Sequence, residues 1–186
     1  LFTVAVAVAV FVVAWNTRNF IDNQYFLFIG IAYLYVGILD TLHTLAYTGM
    51  GVFLESTANL PTQLWISARL LESLSLLAGF FLMRFKLRLN WIISGFTLLT
   101  CVLLLSIADG SFPVCYIPEQ GLTLFKIISE YIIVLFLALS VFIFYKQKDQ
   151  FDPLIRIFLT TAILTTIAAE LAFTSYVSVF GSANML

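Results

Sequence analysis

Charge is what this sequence has least of. Lys, Arg, Asp and Glu make up 10% of its 186 residues, and histidine occurs once. A soluble domain averages about 25% charged residues, so this composition does not build a water-facing surface. The formal net charge of -1 leaves no electrostatic footprint for nucleic acid. Cysteine is almost missing. Cys101 sits inside an apolar run and Cys115 in a connection, too differently placed for a disulfide framework, although Cys115 is a conceivable ligand at an outer rim. The four prolines all lie outside the interiors of the apolar runs. No internal repeat and no low-complexity tract is found. A basic leader with a small-residue cleavage site is also lacking, the first residue is not Met and the final SANML carries no polar tail. The expectation is a single domain spanning residues 1 to 186, truncated at both ends.

What is present is apolar surface. Hydrophobic residues make up 62% of the chain, with 19 Phe, eight Tyr and three Trp, and the mean hydropathy is +1.05. Six apolar runs stand out, at about 1 to 15, 24 to 48, 62 to 83, 91 to 108, 122 to 145 and 154 to 180. A spanning helix needs about 20 such residues, and in lipid an unbranched run satisfies its backbone only as a helix. The expected fold is therefore all-α, a polytopic transmembrane helical bundle of six spans, the first truncated. Gly30, Gly37, Gly79 and Gly95 are expected at helix contacts, where small residues let backbones approach.

The connections alternate in charge. Arg18 lies in the first, Arg84, Lys86 and Arg88 in the third, and Lys146 and Lys148 in the fifth, with Arg156 just beyond. Residues 49 to 61 and 109 to 121 contain no Lys or Arg. By the positive-inside rule the odd connections face the cytoplasm. The two outward connections are longer, carry Glu55, Asp109 and Glu119, and can fold over the helix ends as caps. Trp65, Trp91, Tyr47 and Tyr116 read as interfacial anchors.

Seven ionisable residues remain inside the runs: Asp40, His43, Arg69, Glu72, Lys126, Glu130 and Glu170. At about 1.5 Å per residue they lie some 6 to 15 Å from the outward helix ends. Asp40 and His43, like Arg69 and Glu72, are three apart; Lys126 and Glu130 are four apart, so each pair shares a helical face. A charge facing lipid costs about 2.5 to 3.5 kcal/mol, and together they would exceed an ordinary folding stability. They are expected to converge on one buried site that opens outward, with Lys126 at its mouth. Thr166, Glu170 and Thr174 form a polar stripe on the last run. Four carboxylates against two cations leave two negative charges in excess, to be met by protonation, a cation, or a cationic or hydrogen-bonding ligand. One histidine excludes a bis-histidine haem, and the lack of a repeated Glu-x-x-His argues against a di-iron site; the residues leave metal and cofactor open. No nucleophile motif is visible, so no catalytic residue is expected.

The motifs LDTLHTLAYTGMGVF (39 to 53), ANLPTQLWISARLLESLSLL (58 to 77), FPVCYIPEQGLTLFKIISEYII (112 to 133) and AAELAFTSYVSVFG (168 to 181) carry a resemblance. The chain resembles the membrane-associated sensor domains of the MASE family, type three, over nearly its whole length. The resemblance implies a non-catalytic sensory input module in the inner membrane of a bacterium. It would be joined in the same chain to a cytoplasmic histidine kinase or diguanylate cyclase, in a signal transduction protein of two-component or cyclic-dinucleotide type. The expected partners are the lipid bilayer, an unidentified small ligand or ion, the output domain and a second copy in a homodimer. A transporter or proton-carrying subunit is the alternative, because intramembrane carboxylates also form relays; against it, no pair of runs is broken and no repeat is present. A structural membrane subunit is a third reading.

Overall fold

A computed structural model of the chain describes every residue except 1, 21, 22, 48, 54 to 56, 84, 86, 87, 148, 149 and 184 to 186, without the side chains of 173 to 183. Of the residues named above, Glu55, Arg84, Lys86 and Lys148 therefore lie outside the described residues, as does the Thr174 side chain. The elements are α1 (Phe2–Thr17), α2 (Gln24–Leu45), α3 (Asn59–Leu82), α4 (Leu89–Ala108), α5 (Leu124–Lys146) and α6 (Pro153–Ala183). Between α4 and α5 lies an antiparallel ribbon of β1 (Tyr116–Ile117) and β2 (Gly121–Leu122). The expected all-helical membrane bundle is observed. Five helices are long and apolar enough to span; α1, at 16 residues, is shorter than the span length, so six spans are not established.

Local chemistry explains where the helices begin and end. The Asn23 side chain caps α2 by accepting from the Tyr25 amide at 3.0 Å, and Thr123 caps α5 by accepting from the Lys126 amide at 3.4 Å. α3 starts at Asn59, earlier than the apolar run suggests, because Pro61 falls in the first turn, where an amide hydrogen has no intrahelical partner. Beyond α2, Gly49 and Gly51 adopt φ of 103° and 70°, a region that turns the chain out of the helix.

α2 and α3 form the antiparallel centre, with Tyr25 against Phe80 at one end and Asp40 against Arg69 at the other. α1 packs on α2, α5 on α3, α6 on α5, and α4 on the flank of α2 and α3. α4 and α6 expose Trp91, Leu98, Leu105, Ile157 and Phe158, the apolar surface that lipid would cover. At the end nearest the third and fifth connections, Tyr25 stacks on Phe80 with ring centroids 4.6 Å apart. Phe151 stands edge-on to Tyr25 at 5.6 Å and to Phe144 at 4.7 Å. This stack ties α2, α3, α5 and the approach to α6, each pair adding about 0.5 to 1.5 kcal/mol beyond burial.

The α1–α2 seam is built from small residues. The buried residues of α1, Ala7 and Ala14, face Gly37 and Gly30. A Cβ on Gly30 would stand 2.1 Å from the Ala14 Cβ, and one on Gly37 would stand 3.2 Å from the Ala7 Cβ. Gly79 lies against the Tyr25 ring, whereas a Cβ on Gly95 would meet nothing within 4 Å; three of the four glycines are at contacts and Gly95 is not. The Gly30→Ala variant is expected to lose about 1 to 3 kcal/mol, the usual cost of overpacking, and Ala14→Gly in the same chain is expected to restore most of it. Thermal unfolding in detergent reads both; an undisturbed single variant would show that the helices separate freely at this seam.

Candidate functional site

The charged side chains of the half nearest the second and fourth connections meet between α2, α3, α5 and α6. Arg69 stands at their centre because α3 presents Trp65, Arg69 and Glu72 at spacings of four and three, one helical face. One guanidinium nitrogen donates to Asp40 Oδ2 of α2 at 2.7 Å, and another donates to Glu72 Oε2 one turn along α3. The second Glu72 oxygen accepts from the Tyr33 hydroxyl at 2.7 Å. Asp40 and Glu72 are buried, so the fork of a single arginine holds two dehydrated carboxylates. The Arg69 Nε–H, also buried, has no hydrogen-bond partner among the described residues.

A second pair lies on α5, where the Lys126 ammonium donates to Glu130 at i, i+4. Glu130 is 0% exposed. The Lys126 nitrogen also sits 5.1 Å from the centre of the Trp65 ring, a cation–π contact that strengthens out of water. Glu170, buried on α6, lies within electrostatic reach of Arg69, Glu130, Glu72 and Lys126. Four helices thus contribute Asp40, Arg69, Glu72, Lys126, Glu130 and Glu170 to one region.

Two placements differ from the expectation. Lys126 is not at an open mouth: at 4% exposure it is covered by its neighbours, Trp65 among them, so Trp65 is no plain interfacial anchor. His43 does not enter the ion pairs. Its Nδ1 lies 2.7 Å from the Pro61 carbonyl, which can only accept, so Nδ1 carries the proton and the ring links the end of α2 to the first turn of α3. The His43 ring also stands edge-on to Tyr47 at 5.7 Å. Thr166 bonds its own helix at Ala162 O, 3.0 Å away.

The α4–α5 connection lies over the start of α3. Asn59 Oδ1 accepts from the amides of Cys115 at 2.8 Å and Tyr116 at 3.0 Å, and Gln63 Nε2 donates to the carbonyls of Phe112 and Pro113 at 3.2 and 3.0 Å. Asn59 and Gln63 are one turn apart, so one face of α3 holds the connection down. Its ribbon turns through Glu119 and Gly121, at φ of 70° and 84°. Cys115 is fully buried beneath it. Burial pushes its thiol up to about 11 against the pull of Lys126, so near neutral pH it is a protonated, unreactive thiol rather than a rim ligand. Among the described residues no group of three His, Cys, Asp or Glu is arranged to hold a metal ion.

The sequence reading missed Tyr33, Asn59, Gln63 and the role of Trp65. Tyr33 was detectable, since it precedes Asp40 by seven residues and so shares its face. Asn59 and Gln63 bond to backbone groups of a distant loop, which no local pattern signals.

A family model for a membrane-associated sensor domain, MASE3, matches residues 1–186, the whole chain. No curated protein and no solved structure matches it.

Proposed function

Because the chain belongs to the MASE3 family of membrane-associated sensor domains, we propose that it receives its stimulus in the buried cluster of Asp40, Arg69, Glu72, Lys126, Glu130 and Glu170. His43 closes the outward side of that cluster. The stimulus is a small ligand, an ion or a proton, and the response is a change in helix packing passed to a histidine kinase or diguanylate cyclase in the cytoplasm. The protein acts as a homodimer in the bacterial inner membrane.

The observation that carries this reading is that the network is incomplete. Its four carboxylates outnumber its two cations, and Arg69 retains a buried donor without a partner among the described residues. An unmet buried donor costs about 1 to 3 kcal/mol, so a bound acceptor gains there, while a proton or cation removes the excess negative charge. Either acts on the equilibrium between packings only through its different affinity for them. The residues concerned come from α2, α3, α5 and α6, and the aromatic stack of Tyr25, Phe80, Phe144 and Phe151 ties α2, α3, α5 and the connection leading into α6 at the opposite end. A rearrangement in the cluster thus has a packed route across the bundle.

In the complete natural protein, His43→Ala and Glu170→Gln are expected to change output activity by about fivefold or more, the lower range of ordinary coupling free energies. Membrane insertion, which follows the apolar runs, should be unchanged. Output that responds normally in both variants would reduce the cluster to a device that orients helices; substrate-driven uptake into proteoliposomes would point to transport instead.

A further inference from the structure

Between α5 and α6, toward the end that the distribution of Lys and Arg assigns to the cytoplasm, lies a groove of about 290 Å³. Its walls are Val141 and Phe144 on one side and Ile157 on the other, and Tyr145, Thr160, Thr161 and Arg156 supply its polar atoms. Arg156 is half-buried among these apolar side chains, and its guanidinium makes no ion pair among the described residues. It lies three residues inside the start of α6, about 4.5 Å along the axis, which is the depth of the headgroup boundary. Lys146, on the last turn of α5, is directed away from this groove: its ammonium sits 4.5 Å from the Phe142 ring centre, and neither residue lines the groove.

We propose that this groove binds an anionic phospholipid of the cytoplasmic leaflet, with the phosphate on Arg156 and an acyl chain along Val141, Phe144 and Ile157. The argument is charge complementarity at a fixed depth. A guanidinium held in an apolar groove at the membrane boundary takes a phosphate through two parallel hydrogen bonds, and basic recesses between helices on the cytoplasmic side suit anionic headgroups. The groove walls accept the hydrocarbon attached to that headgroup, which a soluble anion lacks. Phe144 also belongs to the aromatic stack, so an occupied groove would brace the inner ends of α5 and α6 against α3.

The test uses the purified protein in neutral detergent and native mass spectrometry, with phosphatidylglycerol, phosphatidylcholine and soluble glycerol 3-phosphate as separate probes. Phosphatidylglycerol should be retained in preference to phosphatidylcholine, and millimolar glycerol 3-phosphate should not displace it. Arg156→Gln should weaken retention roughly tenfold, as loss of a hydrogen bond to a charged group does. Arg88→Gln, at an exposed cation of the same membrane face, should leave it unchanged. Equal retention of both lipids, displacement by the soluble phosphate, or equal losses in the two arginine variants would each overturn the proposal. The lipid comparison on the unmodified protein decides the matter even if Arg156→Gln fails to fold.

Discussion

Replacing Arg69 with leucine is expected to remove about 3 to 5 kcal/mol of bundle stability, the usual cost of breaking a buried ion pair from one side. The side chain bridges Asp40 on α2 and Glu72 on α3, so its loss leaves two buried carboxylates without their common cation. If that is the cause, neutralising both acids should recover the loss: Arg69→Leu with Asp40→Asn and Glu72→Gln is expected to return to within about 1 kcal/mol of the parent, since a buried ion network replaced as a whole is often close to neutral. Tyr33 should then keep its bond, now to the amide oxygen of the new glutamine. Equilibrium unfolding in mixed micelles measures both. A single variant as stable as the parent would mean that Asp40 and Glu72 reach water in the membrane and that the site is open.

A loss of similar size, about 3 to 5 kcal/mol, is expected from Lys126→Met, which strips the cation from the fully buried Glu130. The geometry separates two contributions. Lys126→Arg keeps the charge and sets a flat guanidinium on the Trp65 face, a favourable stack, so it should retain most of the stability. Adding Glu130→Leu to Lys126→Met should restore most of what the single variant loses. If the double variant is as impaired as the single one, Lys126 acts through its contact with Trp65 and the ion pair contributes little.

The helices were legible in the sequence for a simple reason: lipid leaves an apolar run of about 20 residues only one way to satisfy its backbone. Grouping of the charges was legible from spacing and cost, and Asp40, Arg69 and Glu72 do touch. Spacing alone misled for His43. It shares the face of Asp40 but sits one turn nearer the helix end, where the Pro61 carbonyl is its acceptor, and backbone acceptors leave no mark on a sequence. The same holds for the ribbon at Tyr116, whose anchor Asn59 lies 57 positions earlier. Gly95 was misplaced because in a lipid-facing helix glycine meets no neighbour to reveal its role.

The placement of the ion pairs along the chain bears on how the protein enters the bilayer. Helices reach the insertion machinery in order, and a lone central charge would cost about 2.5 to 3.5 kcal/mol there. Lys126 and Glu130 cancel within one helix, four residues apart, so α5 can partition as a neutral rod. Asp40 waits only 29 residues for Arg69, so the α2–α3 hairpin can leave the machinery with a single surplus negative charge. Glu170 is the group whose neighbours Arg69, Glu72, Lys126 and Glu130 are all synthesised before it. α6 therefore docks onto charges that are already in the membrane, and Glu170 joins the cluster after the groups that face it.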